Sequence, residues 1–139
     1  NFIELSQMLI NKNLKVILLG SAYSRSRAAR FPKHKDIVSF VGETDLGQLV
    51  SLIKRLDVLL APDSAPIHIA SAVETDSIAL FGPTNPARHM PPGSRTQALV
   101  KKIDCQPCYK RNCINKDKLA CLKNITVDEV HSLIVDKIR

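Results

Sequence analysis

"VLLAPDSAPIHIASAVETDSIALFG" occupies residues 58–82, and its parsing decides the fold. It opens on an apolar run, breaks at Asp63-Ser64, passes through small residues at helical spacing, and ends in a second apolar run closed by Gly82. Strand, helix, strand is the crossover unit of a parallel sheet, and such crossovers are right-handed. Pro66 falls in the first helical turn, where the amide it lacks has no partner inside the helix anyway.

The same alternation extends both ways. Upstream, Phe2, Leu5, Met8 and Leu9 recur at helical spacing and predict a helix over 2–12. "LKVILLG" (14–20) predicts a buried parallel strand, 24–31 an arginine-rich helix or loop, and "DIVSFVG" (36–42) a second strand. Thr44 is placed to cap a helix over 45–56 whose Leu46, Leu49, Val50, Ile53 and Leu56 form one stripe. Residues 57–62 and 77–82 then read as strands around a helix over 65–74, with "TQALVKK" (96–102) a short fifth strand. Thr126 and Glu129 have capping-box spacing ahead of a helix over 127–138, with Val130, Leu133, Ile134 and Ile138 on one side. The expectation is one α/β, Rossmann-like domain over 1–139: a parallel sheet with helices on both faces. Loops 82–95 and 103–125 are long and irregular, which in a compact domain points to function.

Composition narrows the partners. The 139 residues are 45% hydrophobic, enough for a core, yet no apolar stretch approaches the roughly 20 residues of a membrane span. Twenty Lys and Arg against thirteen Asp and Glu give +7, which favours anionic partners. Aromatics are 4% with no Trp, so base stacking is poorly supplied and nucleic acid is not the expected partner.

Ligands of open parallel sheets collect at the carboxyl ends of strands, where the next helix presents free N–H groups to anions. DSAPIH (63–68) stands at one such end. Asp63 can accept from sugar hydroxyls, Ser64 can donate, and His68 follows one turn later on the same helix face. The competing reading is plainer: Asp63 or Ser64 caps the helix, and His68 is a core histidine. Neither GxGxxG nor GxxxxGK[ST] occurs. "FGPTNPARHMPPG" (81–93) lies at the next strand end, where Gly82-Pro83 forces a turn and Thr84 and Asn85 offer polar contacts. Cys105, Cys108, Cys113 and Cys121 follow C-x2-C-x4-C-x7-C. That spacing permits a structural zinc site, two disulfides, or reduced or adventitiously oxidised thiols, and the last is the leading reading.

Taken together, "LLGS", "VGETDLGQLVSLIKRLDVLLAPDSAPIHIASA", "ALFGPTNPARHMP" and "CQPCYKRNC" resemble the carboxyl-terminal half of glycosyltransferase family 9, the ADP-heptose:lipopolysaccharide heptosyltransferases. The resemblance implies the second, donor-binding domain of a GT-B enzyme, lacking its first strand, with the amino-terminal acceptor domain and the catalytic carboxylate outside this chain. Asp63, Ser64, Ala65, Pro66 and His68 match the family's D-[ST]-G-P-x-H donor motif, with Ala65 in place of glycine. Gly20, Ser21 and Thr44 are implied near the nucleoside, and Thr84 near the donor. The segment after Gly20 lacks an acidic residue to grip ribose, with Ser24 near that place. The implied reaction is inverting, metal-independent transfer from an ADP-sugar to an anionic lipopolysaccharide-core acceptor, with no cofactor. It implies a cytoplasmic protein that associates transiently with the inner membrane face, and a fragment inactive by itself. Two alternatives remain: a GT-B enzyme using another nucleotide-sugar, and a basic cysteine-rich nucleic-acid module.

Overall fold

The structure is a computed structural model that describes residues 1–93 and 95–138. Ser94, inside the expected loop 82–95, and Arg139 lie outside the described residues. The chain divides into two compact units, Asn1–Ser51 and Leu52–Arg139.

In the first unit, α1 (Phe2–Ile10) buries Leu5 and Leu9, one turn apart. It ends where Asn13 turns into the left-handed conformation at φ 59°, which asparagine tolerates better than most residues. β1 (Val16–Leu18) pairs in parallel with β2 (Ile37–Ser39), with Val16 opposite Ile37 and Leu18 opposite Ser39. Between them lie a 3-10 turn at Ala22–Ser24 and the short α2 (Arg25–Ala28). Both strands are shorter than expected, and they are not buried: β1 is half-buried throughout and Val38 of β2 is 40% exposed. A ladder of two three-residue strands offers too little apolar surface to be covered on both faces.

The helix α3 (Leu46–Ile53) corrects two expectations. Thr44 is not its cap. Asp45 Oδ1 accepts from the Gln48 N–H at 2.8 Å, and Gln48 Oε1 accepts from the Asp45 N–H at 3.0 Å. This reciprocal pair does what a capping box does, one residue later than predicted. The stripe also fails at its start, because Leu46 is 70% exposed while Ile53 is fully buried.

The second unit holds a parallel sheet in the order β3 (Val58–Pro62), β4 (Asp76–Phe81), β5 (Thr96–Val100). β4 is paired on both edges, and Ser77, Ile78, Ala79 and Phe81 are completely buried, as a central parallel strand should be. The buried hydroxyls are satisfied: Ser77 donates to Thr96 Oγ1 at 2.8 Å, and Thr75 to the Ile53 carbonyl at 2.9 Å. α4 (Ala65–Ala72) packs on β3 and β4 through fully buried Ile67 and Ala70. α7 (Val127–Ile138) packs on the same two strands through Val130 and Ile134. The α/β class and parallel pairing hold. Within each unit the described strands form a parallel ladder, β1 with β2 in the first and β3 to β5 in the second.

Candidate donor-binding site

β3 delivers its carboxyl end straight into DSAPIH. The Asp63 N–H still donates to the Leu80 carbonyl at 3.2 Å, so the acid is held at the last rung of the β3–β4 ladder. Ser64 is fully extended, at φ −165° and ψ 169°, in the N-cap position of α4. Its hydroxyl does not cap the helix but donates backwards to the Pro62 carbonyl at 2.9 Å. Asp63 does not cap it either, since α4 has no side-chain cap hydrogen bond at all. In the first turn of α4, Pro66 has no N–H and the Ile67 N–H donates to the Ser64 carbonyl at 3.1 Å, which leaves the Ala65 N–H without a side-chain acceptor at the positive end of the helix. His68 is exposed, and neither it nor the Asp63 carboxylate has a side-chain hydrogen bond or ion pair among the described residues. This removes the competing reading on both counts, the cap and the core histidine.

β4 ends one strand over. Gly82 is buried, and its missing Cβ leaves room for Leu122, whose Cγ would stand 2.9 Å from such an atom. The Gly82 carbonyl accepts from Gln106 Nε2, and the Pro83 carbonyl accepts from the Tyr109 N–H at 3.0 Å. Thr84 Oγ1 is buried with no hydrogen-bond partner, which marks it as a group awaiting a ligand or water. Asn85 is already committed: Oδ1 accepts from the Ala87 N–H at 3.0 Å and starts α5 (Pro86–His89). Farther along, the Ser71 hydroxyl of α4 donates to the Pro92 carbonyl at 2.8 Å, tying this loop to the helix. The braces Gln106, Tyr109 and Leu122 escape sequence reasoning because they act over twenty or more residues, with no local pattern to announce them.

The second unit thus gathers Asp63, Ser64, Ala65, Pro66, His68 and Thr84 at adjacent strand ends. Gly20, Ser21 and Thr44 belong to the first unit. There the Gly20 carbonyl accepts from the Gly42 N–H at 2.8 Å, and Arg25 Nη2 donates to the Gly42 carbonyl at 2.8 Å. Ser21 precedes the 3-10 turn without capping it. A shallow cleft of about 200 Å³ is lined by Arg25, Ala28, Ala29, Ser39, Val41 and Glu43, and not by Gly20, Ser21 or Thr44.

All four cysteines are free thiols, three half-buried and Cys121 buried in α6 (Ala120–Lys123). Cys113 Sγ accepts from the Leu119 N–H at 3.2 Å, and Cys105 Sγ from Asn115 Nδ2 at 3.5 Å. The backbone N–H groups of Leu119 and Asn115 lower the Cys113 pKa, while burial raises that of Cys121. Among the described residues no group of three or more His, Cys, Asp or Glu is placed to hold a metal ion.

Comparison with known proteins settles the family. The sequence profile of glycosyltransferase family 9 (heptosyltransferase) matches residues 1–119. The chain belongs to that family. It is 32% identical over 110 residues to lipooligosaccharide heptosyltransferase 2 of Haemophilus influenzae, covering 75% of this chain and 32% of the relative. Lipopolysaccharide heptosyltransferase 2 of Salmonella typhimurium is 27% identical over 147 residues, covering 99% of this chain and 42% of the relative. Among solved structures, the Escherichia coli ADP-heptose lps heptosyltransferase II superposes with a TM-score of 0.77 at 23% identity, over 99% of this chain and 40% of that one. A family 9 glycosyl transferase from Veillonella parvula gives 0.78 at 17% identity, over 99% and 40%. The chain therefore spans between a third and a little over two fifths of these relatives' length.

Proposed function

We propose that this chain is the donor-binding part of a glycosyltransferase that moves a heptose, or a related sugar, from an ADP-sugar to a lipopolysaccharide inner-core acceptor. The observation that carries the reading is the start of α4, open and uncapped at the carboxyl end of β3, with exposed His68 beside it. The Ala65 N–H and the helix dipole receive the donor diphosphate. His68 adds a hydrogen bond to a phosphate oxygen, and the Asp63 carboxylate accepts from sugar hydroxyls. Thr84 Oγ1 offers the second strand end's one unpartnered hydroxyl. Gly20, Ser21 and Thr44 serve the nucleoside. As the bond from the sugar carbon to the diphosphate oxygen breaks, the electron pair stays on that oxygen, and the positive helix end stabilises the charge that develops there, which favours departure of the nucleotide. The base that activates the acceptor hydroxyl is assigned to a domain outside this chain, so transfer needs both.

The relatives' names support heptosyl transfer, and one structural relative at TM-score 0.69 is described as a heptosyltransferase with ADP. Calorimetric titration with ADP-heptose and with a UDP-sugar tests the donor. Asp63→Asn and His68→Ala are expected to weaken ADP-heptose binding by about 10- to 100-fold each, since each removes a charge-assisted hydrogen bond. Equal affinity for both nucleotides, or unchanged affinity in both variants, would refute the assignment. Transfer by the 139-residue chain alone would refute the division of labour.

A further inference from the structure

The loop that braces Gly82 and Pro83 carries a surface that the donor site does not use. Within residues 109–119 three large apolar side chains are exposed: Tyr109 at 47%, Ile114 at 63% and Leu119 at 49%. Single exposed apolar residues are ordinary, but three in eleven positions are not. Two of them, Tyr109 at φ 53° and Leu119 at φ 62°, sit in the left-handed region that bulky side chains avoid. Such backbone persists only where its surroundings enforce it. Here they do. The Tyr109 N–H is held by the Pro83 carbonyl, the Leu119 N–H by Cys113 Sγ, and Lys118 Nζ donates to the Cys113 carbonyl at 2.6 Å. Asn115 Nδ2 ties the other side of the loop to Cys105 Sγ.

Cations are interleaved with these residues. Lys110, Arg111, Lys116 and Lys118 are exposed, and the first three have no hydrogen bond or ion pair among the described residues. Asp117, the one acid of the stretch, is spent on Lys123 at 3.0 Å. Fixed apolar side chains among unpaired cations match an interface where anionic headgroups overlie hydrocarbon. Nucleic acid would take the charge but offers Ile114 and Leu119 nothing to enter, and Tyr109 is a single stacking ring. We infer that residues 109–119 dock this protein on an anionic lipid bilayer. Because the Tyr109 N–H bonds the Pro83 carbonyl, docking through this loop holds the β4 strand end near the membrane surface. The inference deepens the glycolipid-acceptor reading and draws its purpose from it.

Co-sedimentation with vesicles tests it, using equal phosphatidylglycerol and phosphatidylcholine against phosphatidylcholine alone. Binding is expected to the anionic vesicles only and to weaken as salt rises. Ile114→Asp with Leu119→Ser, and separately Lys110→Glu with Arg111→Glu, should each weaken it about tenfold or more, leaving ADP-heptose affinity intact as the check on folding. On the parent protein, added anionic vesicles should slow amide exchange across 109–119. Parental binding by either variant pair, equal binding to neutral vesicles, unchanged exchange, or binding to RNA without binding to vesicles would each overturn the inference. No ADP-heptose binding by the parent protein, with its binding to anionic vesicles as expected, would instead count against the donor site alone.

Discussion

Gly42 and Gly82 show how differently two glycines are constrained. Gly42 lies at φ +73°, and a Cβ there would stand 2.8 Å from Ala22 Cα, which is backbone and cannot step aside. Gly82 is not among the residues with positive φ; the chain bends there as its sequence predicts, and the missing Cβ also leaves room for Leu122. Gly42→Ala should therefore cost more than Gly82→Ala. Overpacking accounts for about 1–3 kcal/mol in either, and left-handed strain adds roughly 1–2 kcal/mol in the first alone. Urea denaturation midpoints would decide, and a milder Gly42→Ala would show that the 20–25 turn rearranges freely. At this scale the candidate site is partly legible in the sequence. Asp63, Ser64 and His68 announce themselves by residue type at a strand end. The direction of the Ser64 hydroxyl does not, because a serine in that place can donate to its own chain or cap the helix with equal ease.

Elements were legible wherever their signals are local. The Thr126–Glu129 box forms as its spacing predicts, with Glu129 Oε2 accepting from the Thr126 N–H and hydroxyl at 3.0 Å each, and α7 runs over the predicted residues. What spacing could not show is that Glu129 also pairs with Lys101, twenty-eight residues away. Lys101 first, then the Thr126 N–H and hydroxyl, hold the Glu129 pKa down to about 2. A carboxylate depressed in the folded state stabilises fully above its unfolded pKa, and loses that contribution as pH falls toward the folded one. Glu129→Gln should therefore flatten the acid limb of the stability curve between the ordinary carboxylate range and pH about 2, leaving its shape near neutrality unchanged. An acid limb identical to the parent's would show that the pair does not form in solution. The α3 cap was misplaced for a related reason: Thr44 and Asp45 are both good caps, and only the reach of Gln48 chooses between them.

At the scale of the whole molecule, alternating strands and helices identify a parallel α/β protein, but strand order is a pairing between distant segments and leaves no periodic trace. The β1–β2 and β3–β5 ladders show only in the register of their strands. Their unequal burial has a measurable result. Amides of β4, paired on both edges and buried, should exchange slowest, and those of β1 and β2 markedly faster. Equal protection in β1 and β4 would mean that both ladders open together. Global stability also exposes a conflict latent in the uncapped start of α4. Ser64→Asp would supply the missing cap, worth about 1 kcal/mol, and would seat a negative charge where a diphosphate is proposed to lie. A laboratory evolution campaign rewarding only heat resistance would enrich that substitution, and its sturdiest descendants would be its poorest binders.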